Sequence, residues 1–258
     1  MDKIKNNKGI AYLKSGSKSS YVVLGILVVL GVIILVTVCK KIYNYYQKMK
    51  RSEKWLLNGT KSGKKRKMVV QDPNDDESIT IYRSDNEEGG IEFSYSFWTY
   101  ADDWSYKYGQ WKHLFHKGNE NSWPNRAPGV WLHPKENKMR VYMNTFNKIG
   151  EYVDIDNIPI GKWFHTIIAV KQKTLDIYIN GNLKTTYNMS GLPKQNYGNI
   201  YINNFRGFSG YMSNIKYFNY YISYPVIDRI LKAGPSMVPC VDTGESPPYL
   251  SANWWDTR

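Results

Sequence analysis

Two alternating apolar runs joined by one tight turn constrain this chain more than any other feature. The first, Thr166 to Val170, follows Gly161-Lys162-Trp163-Phe164-His165, and the second is Leu175-Asp176-Ile177-Tyr178-Ile179. Successive strand residues point to opposite faces, so Ile168 and Val170 face one way and Ile167 and Ala169 the other, which demands cover on both sides. In the second run Leu175, Ile177 and Ile179 alternate with Asp176, Tyr178 and Asn180, as one buried and one wetter face require. Asn180-Gly181 supplies two residues that tolerate positive φ, the condition for a two-residue hairpin turn, and Asn182 to Tyr187 returns antiparallel.

The same alternation predicts strands at Ile79–Arg83, Ile91–Tyr100, Trp111–Lys117, Gly129–His133, Lys138–Phe146, Glu151–Ile155 and Asn199–Asn204, and after the small-residue bend at Gly207–Gly210. A short helix follows, with Ser223 as its cap, Pro225 in its first turn and Ile227, Ile230 and Leu231 as its apolar face. Three of these segments, in this order, carry a family pattern. They are the aromatic strand Ile91 to Tyr100, Gly161-Lys162-Trp163-Phe164-His165 with its hairpin, and Gly207 to Asn219. They resemble the laminin-G-like, concanavalin A-like domains over roughly residues 79 to 233. The resemblance implies an all-β fold, a two-sheet antiparallel jelly-roll sandwich, with His165 as part of the structural pattern. It also implies a family whose members bind sugars or proteins, some through calcium. About 190 folded residues are ample for one such core.

Upstream, Tyr21 to Cys39 is an uncharged run dominated by Val, Leu and Ile. At about 1.5 Å per residue it spans roughly 28 Å, close to a bilayer's hydrocarbon thickness. The competing reading is a cleaved signal peptide, whose apolar core is usually about 7–15 residues and ends on small residues. This run is longer and meets Cys39-Lys40-Lys41, which favours an uncleaved single-pass helix.

The chain carries a formal charge of +13. Residues 1–67 hold 16 Lys or Arg against Asp2 and Glu53, leaving 19 basic and 20 acidic residues for 68–258. The excess is therefore expected beside the membrane. A nucleic-acid module needs its positive charge on the folded face that meets phosphate, so nucleic acid is excluded as a partner. Anionic lipid headgroups suit Lys40, Lys41, Lys48, Lys50, Arg51, Lys54, Lys64, Lys65, Arg66 and Lys67. Eleven basic residues in 40–67 against five in 1–20 favour the C-terminal domain on the cytosolic side. The two cysteines, Cys39 and Cys240, leave the sandwich without an internal disulfide, as a reducing compartment or a virion assembled in cytosol would.

These signals divide the chain into a basic polar tail (1–20), a transmembrane helix (21–39) and a basic juxtamembrane helix and linker (40–67). The sandwich with its closing helix (68–233) and a Pro/Trp-rich tail (234–258) complete it. Tyr43, Tyr45, Tyr46 and Trp55 are types that favour the headgroup region. The acidic stretch Asp72 to Glu77 lacks the central Gly and distant Glu of an EF-hand and reads as a solvated turn.

Some relatives of this fold are glucanases, which need two carboxylates about 5–5.5 Å apart. The nearest pattern here is Glu151-Tyr152-Val153-Asp154-Ile155-Asp156, where Glu151 and Asp154 differ in parity and should point to opposite faces. His113, His116, His133 and His165 show no metal-ligand spacing, and His113 and His116 are expected on opposite sides of a strand. No cofactor is implied, and no pair of Asp residues stands out for calcium. The chain reads as a non-enzyme.

Binding is left to two loop-like stretches, 102–109 and 118–126, whose contact-forming residues are Trp104, Tyr106, Trp123, Asn125 and Arg126. Such aromatics stack on sugars or anchor protein interfaces, or simply fold over the sandwich edge. In the tail, Trp254 and Trp255 either pack on this domain or dock on a neighbour. Two functions fit: a membrane-tethered structural adaptor, or a surface lectin for carbohydrate. The Lys/Asn/Ile/Tyr-rich composition and missing domain disulfide suit the first in the form of a minor capsid protein of a large DNA virus, with the domain between inner membrane and capsid.

Overall fold

The computed structural model describes residues 18–82, 84 and 90–240, which fall into two units that divide after Arg51. The first unit contains helix α1 (Lys18–Lys50), of which Lys18–Tyr43, 26 residues, is long and apolar enough to cross a membrane. Its Val, Leu and Ile side chains are exposed around the whole helix, so it has no polar face to turn to water. A signal sequence near an N-terminus can meet the same criterion of length and apolarity.

The second unit departs from the boundary that the sequence predicts. In place of the juxtamembrane helix and linker expected over 40–67, α1 stops at Lys50 and β1 (Glu53–Ser62) begins three residues later. Pairing with β12 (Gly210–Phe218) overrides the helical spacing, and Leu56 and Leu57 are both buried. Register shifts on either side of Leu57 break the two-residue period that would mark this segment as a strand. The folded unit thus starts at Ser52, and Lys54, Lys61, Lys64, Lys65, Arg66 and Lys67 belong to it rather than to a linker.

Two six-stranded sheets pack face to face. The first runs β1, β12, β3 (Glu92–Ala101), β8 (Trp163–Lys171), β9 (Thr174–Ile179) and β10 (Asn182–Asn188). The second runs β2 (Lys67–Val69), β11 (Ile200–Ile202), β4 (Lys112–Gly118), β5 (Arg126–Leu132), β6 (Lys138–Met143) and β7 (Glu151–Asp156). Every pairing is antiparallel. Phe93, Phe97 and Ile168 from one sheet meet Phe115, Val130 and Val141 from the other in the core. Full burial of each such side chain contributes roughly 1.5–3 kcal/mol.

The two faces of β8 divide as its sequence requires. Ile168 and Val170 enter the intersheet core, while Ile167 and Ala169 lie in a second cluster with Phe218, Ile222 and Ile227 of α2 (Tyr224–Ala233). Asn180 and Gly181 adopt φ of 50° and 79° in the β9–β10 turn. Glycine suits that positive φ, and a Cβ at 181 would sit 2.4 Å from Leu231 Cδ1 of α2, so that side chain would have to shift. Ser223 occupies the N-cap of α2, but its hydroxyl makes no capping bond; its carbonyl accepts from Val226 and Ile227 instead.

Residues 79–82 of the predicted strand are not a strand, and Arg83 lies outside the described residues. Ile79 and Ile81 pack partly buried against the core, but the Ile81 amide donates to Gln71 Oε1, so a side chain replaces the neighbouring strand. After α2 the chain returns to the free edge of β1. Thr60 N donates to Val238 O and Cys240 N to Thr60 O, both at 2.8 Å, which covers an otherwise unpaired edge. Gly59, at φ 95°, permits this approach, since a Cβ there would lie 2.9 Å from Val238 O. The start of the C-terminal tail therefore packs on its own domain, and Trp254 and Trp255 lie outside the described residues.

Candidate functional site: an aromatic and arginine face on the second sheet

Cross-strand register brings two rows of side chains together on the outer face of the second sheet. One row is Tyr201, His116, Gly129, Tyr142 and Tyr152; the other is His113, Trp131, Arg140 and Asp154. Alternation makes this face, because Met139, Val141, Met143 and Ile155 take the inward positions between these residues. Gly129 leaves a gap in the first row, and the Arg126 stem lies across it, 3.2 Å from where a Cβ would be.

The rows are tied by ring contacts. Arg126 lies 3.5 Å over the Tyr142 ring and 5.9 Å from that of Trp123. Arg140 lies 3.8 Å over Tyr152 and 4.8 Å over Trp111. Phe205 stacks on Trp131 at 5.4 Å, and Tyr142 and Tyr152 are 5.7 Å apart. Arginine over a ring face is a favourable arrangement, and here it orders both cations.

The two guanidiniums differ in their partners. Arg140 grips Asp154 through both oxygens, at 2.6 and 2.7 Å, and that bond, helped by Tyr142 and opposed by burial, raises its pKa further. Arg126 has no carboxylate partner among the described residues, and its Nε is buried without a hydrogen bond. Burial pushes its pKa down, with Tyr142 opposing. Trp123 (54% exposed) beside it, Tyr152 (45%) beneath Arg140 and Phe205 (39%) on Trp131 present ring surface to solvent on the same face. Ile149 is exposed beside Gly150, whose own position is packed by Arg126 and Trp123.

Nearby amides are already engaged. Asn119 Nδ2 donates to Trp123 O, Asn125 Nδ2 to Asn119 Oδ1, and Asn144 bonds both Pro124 O and Gly150 N. The surface is thus made of rings, aliphatic carbon, the Arg140–Asp154 pair and one guanidinium, Arg126, that no carboxylate among the described residues neutralises.

Of the residues expected to bind, Trp123 and Arg126 come together, with Asn125 holding the loop between them. Trp104 does not join them: it packs on the core and donates Nε1–H to His133 O at 3.0 Å. Tyr106 donates to Arg206 O and lies beneath Lys64 Nζ, 4.8 Å from its ring. Tyr142, Tyr152, Arg140 and Trp131 carry no signal of their own in the sequence, although Arg140 with Tyr142, and Tyr152 with Asp154, lie on strands that the alternation predicts.

Of the residues assigned to lipid, Arg66 pairs with Glu120 at 2.7 Å and lies 5.5 Å over Tyr201, and Lys67 Nζ is 4.0 Å from Cys240 Sγ. Lys65 is exposed in the β1–β2 turn, and Lys40, Lys41, Lys48 and Lys50 lie on α1.

His113 and His116 correct another expectation. They do not face opposite sides: a bulge between His113 and Phe115 resets the alternation, so Leu114 and Phe115 both enter the core and the imidazoles meet. His165 is fully buried and bonds Ser96 Oγ through Nε2 at 2.7 Å; burial pushes its pKa down to about 3.

The glucanase-like carboxylates do point apart. Glu151 is buried and accepts from Ser190 N and Oγ, Thr145 Oγ1 and Tyr187 OH at 2.7–3.1 Å. Burial opposes its ionisation, yet those bonds outweigh it and hold the carboxyl below its usual range. Asp156 reaches Lys138 at 3.5 Å. Among the described residues no three His, Cys, Asp or Glu gather as a metal site. Asp72 and Asp75 accept from the Asn74 and Glu77 amides, building local turns.

Comparison with known proteins agrees with this architecture. The family model described as "Concanavalin A-like lectin/glucanases superfamily" matches residues 57–227. Among solved structures, the receptor binding domain of botulinum neurotoxin D superposes with a TM-score of 0.52 at 14% identity, covering 71% of this chain and 48% of that one. The receptor binding domain of the mosaic serotype C/D gives 0.51 at 14%, covering 71% and 46%. At that identity the likeness is one of fold, and the chain spans about half the length of these structures. No curated protein was found to match the chain.

Proposed function

This chain belongs to the concanavalin A-like lectin/glucanases superfamily, and on that premise we propose that it is a membrane-anchored, non-enzymatic binding module. Its partner surface is the outer face of the second sheet, and its role is that of a structural adaptor between a membrane and a protein assembly. A viral capsid is the form of assembly that the composition suggests.

The observation that carries this reading is the Arg126 site. A guanidinium with no carboxylate partner among the described residues lies between Trp123 and Tyr142, with exposed rings on the same face and with its neighbouring amides used internally. Protein interfaces draw most of their affinity from Trp, Tyr and Arg, whereas a sugar needs several convergent free hydrogen-bonding groups. A partner carboxylate or backbone carbonyl at Arg126, with apolar side chains on Trp123 and Tyr152, suits this surface. The non-enzymatic reading is supported by Glu151 and Asp154, whose oxygens are held by four donors and by Arg140. The anchoring is supported by the length and composition of Lys18–Tyr43.

Photo-crosslinking tests the proposal. A benzophenone side chain at Tyr152, in the full-length protein within the membranes that make it, should form a discrete protein adduct that Arg126→Ala weakens. Saturable glycan binding lost in Trp123→Ala, with no protein adduct, would replace the adaptor by the lectin.

A further inference from the structure

We propose that the sandwich holds a second binding site: a cavity between its two sheets that takes a small apolar molecule bearing one carboxylate, with Lys117 as counter-ion. The cavity has a volume of about 280 Å³. Phe93, Tyr95 and Tyr217 of the first sheet form one wall, Lys117 and Ala127 of the second the other, and Tyr82 borders it. Its size is near the lower end for ligand pockets, so a compact occupant is implied.

Lys117 is the unusual member. It shares inward parity with Phe115 and pairs with Ile200, so its side chain enters the space between the sheets. It is 7% exposed, and its ammonium donates to one neutral acceptor, Gly198 O, at 2.7 Å. Buried ammonium groups are ordinarily matched by a carboxylate. Among the described residues none pairs with this one, and burial alone pushes its pKa down to about 8. An ammonium has three N–H donors, so two are left for a ligand.

The remaining polar groups of the wall decide what that ligand is. Gln71 is bonded to the backbones of Val70, Ile79 and Ile81, and Tyr217 OH to Tyr82 O. Asn196 donates to Lys117 O and accepts from Gly198 N. The Tyr95 hydroxyl is kept protonated by burial first and by Tyr217 second, with no hydrogen bond contributing. Lys117 and Tyr95 thus line the cavity together with mostly rings and aliphatic carbon, and Thr80, whose hydroxyl bonds Ser78, completes its polar lining with Gln195 and Tyr197. A sugar would leave most of its hydroxyls unmatched, a neutral hydrocarbon would leave the cation unmatched, and an amine would be repelled. An anionic group on an apolar body satisfies both halves. This site faces inward between the sheets, so it stands whether or not the outer face binds a protein.

The test is calorimetric titration of the full-length protein in lipid nanodiscs, with empty nanodiscs as blank. The probes are 4-phenylbutyrate, its amide and 4-phenylbutylamine. The acid should bind saturably and at least about tenfold more tightly than the amide, as a hydrogen bond to a charged group implies. Its affinity should fall as pH rises through 8, where Lys117 loses its charge. Lys117→Met should erase the preference for acid over amide, and Ala127→Phe should fill the cavity and remove binding. If Lys117→Met does not fold, the pH series and Ala127→Phe decide. Absence of saturable binding, equal affinity for acid and amide, or undiminished binding in Ala127→Phe would overturn the proposal. So would a Lys117 pKa of about 10 or more by lysine-selective NMR, since a carboxylate of the chain would then already neutralise it.

Discussion

His113 and His116 are joined ring to ring, Nε2 of the first to Nδ1 of the second at 2.7 Å. The flanking bonds fix the protons. Asn204 N–H donates to His113 Nδ1, and His116 Nε2 meets the Asn119 carbonyl, which can only accept. His113 therefore carries its proton on Nε2 and donates it to His116 Nδ1. Both rings are neutral, and a proton added to either Nδ1 would face another donor.

This relationship sets a pH dependence. Burial, then His116, pushes the His113 pKa well down, and burial pushes that of His116 to about 4. The unfolded chain binds more protons between about 4 and the ordinary histidine value of 6.5, so stability rises with pH across that window. It should be complete above about pH 6.5 and decline as pH falls toward about 4. At about 1.4 kcal/mol per pKa unit the His116 loss alone is on the order of 3 kcal/mol. Urea unfolding at about pH 7.5, 5.5 and 4.5 measures it, and a flat profile would refute the neutral pair.

Glu151 ties the β6–β7 turn to the end of β10 through its bonds to Thr145, Tyr187 and Ser190. Glu151→Ala should cost about 1–3 kcal/mol by leaving those donors unmatched. It should cost no glycosidase activity, because none is expected; turnover of a β-glucan by wild type, lost in Glu151→Gln, would show instead that the domain is an enzyme.

Gly181→Ala meets both an unfavourable φ and the Leu231 side chain. A loss of about 1–3 kcal/mol is expected, of which Leu231→Ala in the same chain should recover the steric part. Additive effects in the double-mutant cycle would show that the turn does not tuck under α2.

The hairpin was legible in the sequence because its signals are local: a two-residue period, an Asn-Gly turn and two-sided burial of residues 166–170. β1 was not, because its bulges around Leu57 disrupt the period and its pairing partner, Ile215, lies far along the chain. The His113–His116 contact is hidden for the same reason, one extra residue at a bulge. Trp123 and Arg126 stand out by the composition of their loop. Their neighbours Tyr142 and Tyr152 come from other strands, and only register brings them together.

Orientation is tested by protease protection in sealed membranes. Residues 52–240 should be digested only from the cytosolic side, or only after disruption of a particle. Glycan on the exposed Asn188, in the acceptor triplet Asn188-Met189-Ser190, would place the domain outside.

That the outer face of the second sheet is the partner surface is tested most directly by comparing two pairs of exposed side-chain truncations in the full-length protein. Trp123→Ala with Tyr152→Ala lies on that face, and Leu183→Ala with Tyr224→Ala lies on β10 and α2. Quantitative co-purification of the crosslinked partner from native membranes should fall about tenfold or more for the first pair, with its thermal midpoint unchanged, and should hold for the second. Equal retention by both pairs, or loss confined to the second, would contradict the assignment of that face.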